Sequence, residues 1–233
     1  MYSTGAVILS RYSSTRLPGK ALKLIKGQPV LQYIIERLEV VFPKQKIAIA
    51  TSTERSDDAI AIFAGNAGVN CYRGSLSNVA ERFYAAASQF GWDYALRTNS
   101  DNVFADVQLI DVCLQLAETG NFHFISNVQD QTYPKGMSVE VVKISYYKRY
   151  LPLINKDRHF YEHVTSFLYS HAPQEKHFYL KNHVFPDWAG IQLALDTQED
   201  FDRTVAIIDR FKKPQWQYGC KDIYQIYKSL NHE

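Results

Sequence analysis

Cysteine is scarce in this 233-residue sequence, and its three residues, Cys71, Cys113 and Cys220, lie far apart. None of them forms a CxxC pair. An odd number of isolated cysteines is typical of a reducing compartment and disfavours a disulfide framework. We therefore expect the protein in the cytoplasm.

Long apolar runs and excess charge of one sign are also absent. No run approaches the ~18 apolar residues of a membrane span, and no basic segment followed by an apolar stretch marks a secretory signal. Lys and Arg number 26 against 24 Asp and Glu, which gives a formal net charge of +2. Such a balance does not suit a general nucleic-acid or membrane binder. We expect neither partner, so any anion must be recognised locally.

The common nucleotide-binding motifs are missing as well. The sequence has no Walker A pattern, G-x-x-x-x-G-K-[ST], and no G-x-G-x-x-G follows its first apolar run. The usual loops of P-loop NTPases and of dinucleotide-binding enzymes are therefore excluded.

What the sequence does contain is an alternation of short apolar runs with segments of helical periodicity. The runs predict strands at 6–9, 46–50, 69–72 and 94–98, and later at 123–127, 138–144 and 178–180. The periodic segments predict helices at 28–41, 57–64, 79–90, 107–118 and, as the closing helix, 200–211. A polar aromatic segment covers 157–171. This order predicts an α/β, Rossmann-like three-layer fold with a mostly parallel mixed sheet. We expect a single domain, 1–233, with an inserted arm at about residues 133–180.

The segment SRYSSTRLPGKAL, residues 10–22, directly follows the first predicted strand and contains no acid. Arg11, Arg16 and Lys20 bring three cations together, and the hydroxyls and backbone N–H groups around them can surround phosphate oxygens. Gly19 permits a tight turn. A solvated basic loop is the alternative, but the position after the first strand favours a polyphosphate site.

Two aspartates follow other apolar runs. Asp101 comes just after the strand predicted at 94–98, and Asp196 ends the run in LALDTQEDF, residues 193–201. A lone aspartate at a strand end is more often a turn former or a helix cap. A pair of carboxylates, completed by water and phosphate oxygens, suits Mg²⁺. Periodicity alone does not bring the two together.

These segments also carry a family resemblance. RYSSTRLPGKAL resembles the signature loop of the CMP-sugar synthetases, and the downstream segments resemble the spore-coat polysaccharide protein F group most closely. CYRGSLSNVAERFYAAASQFG is similar to that group's R-G-S-x-x-x-V-x-x-R-[FY] segment, and LRTNSDNVFADVQLID to its R-x-x-x-D-x-P-x-x-D segment. YPKGMSVEVV, YEHVTSFLYSH and LALDTQEDF follow in the same order. The 3-deoxy-manno-octulosonate and acylneuraminate cytidylyltransferases are more distantly similar.

The resemblance implies a fold of the nucleotide-diphospho-sugar transferase type and transfer of CMP from CTP to a sugar or sugar-like acceptor, with release of pyrophosphate. It implies Mg²⁺ as cofactor, held by Asp101 and Asp196, and catalysis by Arg16, Lys20 and Asp101. Surface polysaccharide or glycan precursor synthesis is the implied pathway, and a homodimer paired through the arm is the implied assembly. The implied nucleotide-binding residues are Leu9, Arg11, Ser14, Arg16, Lys20, Arg73, Ser75 and Asn99.

On the acceptor side the resemblance implies Glu140, Glu162 and His163. Strand alternation places Glu140 with Ser138, opposite Met137, Val139 and Val141, so a solvent-facing Glu140 is the alternative. The family's motifs leave open whether the acceptor offers a hydroxyl, which gives a CMP-linked product, or a phosphate, which gives a CDP-linked one.

Three positions depart from the family pattern: Ser10, Ser138 and the run Asn102-Val103-Phe104. Two other functions stay open. A metal-dependent glycosyltransferase would usually carry a D-x-D motif, whereas Asp101 is followed by Asn102 and Val103. A non-catalytic nucleotide-binding homologue would tolerate the loss of a metal aspartate, whereas both candidates are present.

Overall fold

A seven-stranded sheet lies at the centre of the computed structural model, which describes residues 2–230. A separate two-stranded hairpin, β2 with β3, follows the loop after the first strand. The strands are β1 (Thr4–Leu9), β2 (Leu24–Ile25), β3 (Gln28–Pro29), β4 (Ile47–Ser52), β5 (Asn70–Gly74), β6 (Tyr94–Asn99), β7 (Phe124–Ser126), β8 (Glu140–Lys143) and β9 (His177–Tyr179).

Helices connect these strands. They are α1 (Val30–Glu39), α2 (Asp58–Ala67), α3 (Val79–Gln89), α4 (Val107–Glu118), α5 (Ile144–Ile154), α6 (Arg158–Glu162), α7 (Ser166–Ser170), α8 (Gln198–Asp209) and α9 (Cys220–Leu230). Among residues 2–230, no helix is long and apolar enough to cross a membrane.

The strand order in the sheet is β5-β4-β1-β6-β8-β7-β9. Strands β5, β4, β1 and β6 run parallel to one another, whereas β8 runs antiparallel to both β6 and β7. The order reverses direction about β1, which lies between β4 and β6. In open α/β sheets, ligands bind outside the carboxyl ends of strands at such a switch point. The fold therefore places a binding site after β1 and β6.

Two apolar cores lie on opposite faces of the sheet. Ala6 and Ile8 of β1 belong to the first core, whereas Val7 and Leu9 belong to the second. Helices α1, α4 and α8 contribute to the first core, and α3, α5 and α7 to the second. A strand buried on both faces is apolar at every position. The unbroken apolar run at 6–9 predicted a strand for this reason. The predicted α/β fold with a mostly parallel mixed sheet is confirmed.

The chain contains helices that periodicity did not predict. Helix α5 begins where the strand predicted at 138–144 was expected to continue, so that strand is shorter, and α6 and α7 occupy the polar aromatic segment. Helix α8 confirms the helix predicted at 200–211, but it does not close the fold, because α9 follows. Residues 133–180, predicted as an inserted arm, contribute β8 and β9 to the main sheet.

Candidate active site

The loop after β1 ends in a turn that depends on Gly19. Gly19 has a φ of 68°, in the left-handed region that favours glycine. Its N–H donates to the Tyr12 carbonyl at 2.9 Å and closes the loop. A Cβ at this position would lie 3.0 Å from the Tyr12 ring. The tight turn predicted at Gly19 is confirmed, and Lys20 follows it directly.

A buried carboxylate, Asp57, joins this loop to the end of β4. Its oxygens accept hydrogen bonds from Tyr12 N at 2.7 Å, Thr51 Oγ1 at 2.9 Å, Ser52 N at 2.9 Å and Ser52 Oγ at 2.5 Å. Burial opposes the charged form, but these donors stabilise it more, so the pKa of Asp57 is lowered from its usual value. Nothing in the spacing around Asp57 identified this role, because its partners come from two separate segments.

Lys20 lies between the two aspartates predicted to bind metal. Its Nζ donates to Asp101 Oδ2 at 3.0 Å, to Asp196 Oδ1 at 3.1 Å and to the Leu195 carbonyl at 2.9 Å. The Lys20 side chain is only 11% exposed, so its charge is weakly screened by solvent. Arg16 reaches the second aspartate, with Nη2 3.2 Å from Asp196 Oδ2. Three parts of the chain that are distant in sequence therefore meet at one ammonium group.

Backbone hydrogen bonds hold the two aspartates side by side. Leu195 N donates to the carbonyl of Asp101 at 3.0 Å. Asp196 N donates to Asp200 Oδ2 at 3.2 Å, and Asp200 also forms a capping box with Thr197 at the start of α8. The position of Asp196 is thus set from one side by the end of β6 and from the other by the helix that follows.

The segment before Asp196 also passes close to residues 133–137. Lys135 forms an isolated parallel bridge with Gln192. Gly136 has a φ of 91°, and a Cβ there would lie 2.3 Å from Ala194 N, so only glycine allows this approach. This contact supports the segment that carries Asp196.

The loop, the ends of β1 and β6, and helices α3 and α6 enclose a cavity of ≈ 400 Å³. Among the predicted nucleotide-binding residues, those that line it are Leu9, Arg11, Ser14, Arg16, Lys20 and Asn99. Asp101, Asp196, Glu162 and His163 line it as well. Because five lining cations outnumber three lining carboxylates, the cavity suits a polyanionic ligand. The lining cations are Arg11, Arg16, Lys20, Arg82 and Arg97.

Arg82, on α3, is a lining residue to which sequence reasoning assigned no role. It is 2% exposed, and its Nη1 donates to the carbonyls of Ser75 and Leu76. Burial lowers the pKa of Arg82 to about 10, with Asp57 opposing this shift and Arg11 reinforcing it. Arg82 is still protonated at neutral pH, so it both holds the loop before α3 and adds fixed positive charge to the cavity.

Arg97, on β6, is the other lining cation that the sequence interpretation left without a role. Its Nη1 lies 2.7 Å from Glu140 Oε2. The other oxygen of Glu140 accepts from Thr165 Oγ1 at 2.8 Å and from the Tyr169 hydroxyl at 2.7 Å. Burial, together with the negative charge of Glu140, raises the pKa of Tyr169, so its hydroxyl remains a donor.

Three predicted binding residues do not line the cavity. Arg73 directs its donors to the carbonyls of Ser52 and Glu54 and to Asp58, next to the end of β4. Ser75 is exposed in the loop before α3. Glu140 is 2% exposed and lies behind Arg97, so the solvent-facing alternative for Glu140 is wrong. Met137, Val139 and Val141 belong to the first core, as strand alternation predicted.

Asp101 and Asp196 are chemically suited to a divalent cation. Their oxygens converge on one ammonium group, which shows that the position between them accommodates positive charge. Among the residues that the structure describes, no three His, Cys, Asp or Glu side chains gather into a metal-binding group. A metal held here would therefore have two protein carboxylates and would take its other ligands from substrate and water, as Mg²⁺ commonly does.

The chain is similar to several known proteins. A family model described as cytidylyltransferase matches residues 6–225. An uncharacterised protein of Methanocaldococcus jannaschii is 30% identical over 84% of this chain and 79% of its own length. A spore coat polysaccharide biosynthesis protein of Bacillus subtilis is 27% identical over 88% of this chain and 85% of its own. The structure of a cytidylyltransferase from Leptospira borgpetersenii has a TM-score of 0.89 at 24% identity, covering 100% of this chain and 96% of the other.

We expect Asp57→Asn to reduce stability in a pH-dependent way. At pH 7 the free energy of unfolding should fall by about 2 kcal/mol, because the loop and the end of β4 lose a charged acceptor. A lowered folded-state pKa stabilises the protein above the unfolded-state value of about 4, and this contribution is lost as the pH falls. The variant should therefore show a flatter decline in stability between about pH 5 and pH 3, measured by urea unfolding.

Asp58→Asn is the matched control. Asp58 is exposed, and its removal should change stability by less than about 0.5 kcal/mol. Equal losses in the two variants, or an unchanged pH dependence in Asp57→Asn, would contradict the assigned role of Asp57.

Proposed function

The chain belongs to the cytidylyltransferase family, and we propose that it transfers CMP from CTP to a sugar or sugar-like acceptor with release of pyrophosphate. The observation that carries the proposal is the convergence of Lys20, Asp101 and Asp196 in a cavity with excess positive charge. The spore coat polysaccharide relative supports a role in surface polysaccharide or glycan precursor synthesis.

In this proposal the loop after β1 binds the triphosphate. Arg11 and Arg16 offer forked donors to phosphate oxygens, and Lys20 adds a point charge. Leu9, Ser14 and Asn99 line the same part of the cavity. Asp57 keeps the loop in place through the backbone N–H of Tyr12. The backbone of the loop is thus held by the protein, whereas the Arg16 side chain is 65% exposed and would become ordered on the nucleotide.

The reaction consists of attack by an acceptor oxygen on the α-phosphorus, which forms an O–P bond and breaks the bond to pyrophosphate. Negative charge spreads over the phosphoryl oxygens in the transition state, so positioning and cationic groups carry the catalysis. Arg16 and Lys20 supply this charge from the protein. Mg²⁺, held by Asp101 and Asp196, would supply further positive charge at the phosphate oxygens. Glu162 and His163 line the cavity on the side of α6, where they would contact the acceptor.

The first test is pyrophosphate release from each of the four NTPs with Mg²⁺ across a panel of sugar acids, sugar phosphates and polyol phosphates. We expect turnover only with CTP and a suitable acceptor. Transfer from, or hydrolysis of, a UDP-sugar would indicate a glycosyltransferase instead. CTP binding without turnover on any acceptor would favour the non-catalytic homologue.

The second test is Asp101→Asn. Turnover should fall by roughly 100-fold or more, since a bound metal ion contributes several kcal/mol of charge stabilisation. Calorimetry in the presence of a non-hydrolysable CTP analogue should also show weaker Mg²⁺ binding. Asp111→Asn, at an exposed position on α4, is the control and should change neither quantity. Full activity and unaltered Mg²⁺ binding in Asp101→Asn would show that the metal assignment is wrong.

We also propose that the protein works in the cytoplasm and forms a homodimer through residues 133–180. Light scattering of the purified protein should then return twice the chain mass of 26.8 kDa. A mass of one chain at micromolar concentration would contradict the dimer. The catalytic proposal does not depend on this assembly.

A further inference from the structure

The ammonium group of Lys20 uses all of its hydrogen-bond donors within the protein. A lysine has three N–H donors, and those of Lys20 go to Asp101 Oδ2 at 3.0 Å, Asp196 Oδ1 at 3.1 Å and the Leu195 carbonyl at 2.9 Å. The side chain is 11% exposed, so water competes weakly for these contacts. Lys20 can therefore bind a nucleotide phosphate only if it gives up at least one of its three partners.

The same contacts occupy carboxylate oxygens that a metal ion would need. Lys20 takes one oxygen of each aspartate, and Arg16 Nη2 lies 3.2 Å from the second oxygen of Asp196. Two cations thus balance the two carboxylates. A divalent ion on these oxygens would lie close to both cations, and charges of like sign repel strongly where solvent screens them weakly. The arrangement around Lys20 therefore opposes the binding of free Mg²⁺.

The charge of the whole cavity opposes a free cation as well, since five cations and three carboxylates line it. A nucleoside triphosphate brings several negative charges and reverses this balance. Its phosphate oxygens also offer Lys20 acceptors that replace the carboxylates. The ligand that draws the ammonium group away from the aspartates is thus the ligand that makes the cavity favourable for Mg²⁺.

The side chain of Lys20 can move while its backbone stays in place. The turn at Gly19, with a φ of 68°, fixes the main chain, and Lys20 directly follows it. Beyond its Cα, a lysine side chain is a flexible stem with a compact charge at its end. Lys20 lines the same cavity as Arg11 and Arg16, the other proposed phosphate-binding cations. Rotation of the stem therefore moves Nζ within the cavity without a rearrangement of the loop.

We propose that Lys20 occupies the metal position between Asp101 and Asp196 in the nucleotide-free protein and transfers its ammonium group to the triphosphate when the nucleotide binds. The two aspartates then become available to Mg²⁺ only in the presence of nucleotide, so that the two ligands strengthen each other's binding. This inference rests on the proposed function, and it assigns the order in which that site is filled.

The first test measures the binding of Mn²⁺ alone by electron paramagnetic resonance, since Mn²⁺ prefers the same oxygen ligands as Mg²⁺. Without nucleotide, Lys20→Met should bind Mn²⁺ at least about tenfold more tightly than the parent protein, because removal of a charged partner leaves both carboxylates uncompensated. The double variant Lys20→Met/Asp101→Asn should lose this gain, which would locate the additional Mn²⁺ at the aspartates.

Lys44→Met is the matched control. Lys44 is exposed and also contacts one carboxylate, of Glu39, and one carbonyl, of Ala67, but it lies between no pair of acids. Its removal should leave Mn²⁺ binding as in the parent protein. Folding of each variant is checked by urea unfolding. Mg²⁺ should raise the urea midpoint of Lys20→Met, whose two aspartates repel each other, and should leave the midpoint of the parent protein unchanged.

The second test needs only the folded parent protein and follows the Lys20 ammonium group by NMR of its nitrogen, with the signal assigned from its loss in Lys20→Arg. A non-hydrolysable CTP analogue with Mg²⁺ should shift this signal and produce a scalar coupling to phosphorus across the new hydrogen bond. Mg²⁺ alone should leave the signal where it is. A signal that the analogue with Mg²⁺ does not change would overturn the proposal, as would equal Mn²⁺ binding by the parent protein and folded Lys20→Met.

Failure of the proposed function has a different signature. In that case the parent protein would show no preference for CTP among the four NTPs, or no turnover with any acceptor. The Mn²⁺ measurement contains neither nucleotide nor acceptor, so it reports on the occupancy of the metal position whatever the reaction is. The NMR measurement would then be made with the analogue of the nucleotide that does bind, and the same shift and coupling would be expected.

Discussion

The ammonium group of Lys20 is the contact around which the cavity is arranged. It joins Asp101, at the end of β6, to Asp196, before α8, while the turn at Gly19 brings it from the loop after β1. Two carboxylates held this close would repel each other. A cation between them removes that cost, so both acids stay in place for a ligand that carries its own positive ion.

Two buried carboxylates give the site its rigidity, one on each side of the central contact. Asp57 accepts donors from the loop and from β4, and Glu140 accepts donors from β6 and from the α6–α7 segment. Asp57 accepts four hydrogen bonds and Glu140 accepts three, which compensates for their removal from water. Neither lines the cavity. Each holds a part of the molecule that does: Asp57 holds the loop after β1, and Glu140 holds the side chain of Arg97.

Much of the scaffold could be predicted from local pattern. The strands buried on both faces are unbroken apolar runs, and α4 has the bounds that its periodicity indicated. Helices α6 and α7 were not predicted, because five residues each are too few to establish a period. Arg82 and Arg97 lie within the family segments quoted above. A single cation in a helix or a strand does not indicate, from sequence alone, which way its side chain points. Glu140 was assigned to the acceptor, whereas its side chain does not line the cavity and instead accepts a hydrogen bond from Arg97, which does.

The sequence by itself determined the alternation of strands and helices, the loop of cations without acids after the first strand, and the two candidate aspartates. These features depend on local spacing and on residue chemistry, which a linear pattern records. The tertiary structure alone decided that Asp101 and Asp196 meet at Lys20, that Asp57 holds the loop, and that Glu140 directs Arg97. Those contacts join residues up to 176 positions apart, and they arise from the order of strands in the sheet and from backbone pairing between distant segments, which no local period encodes.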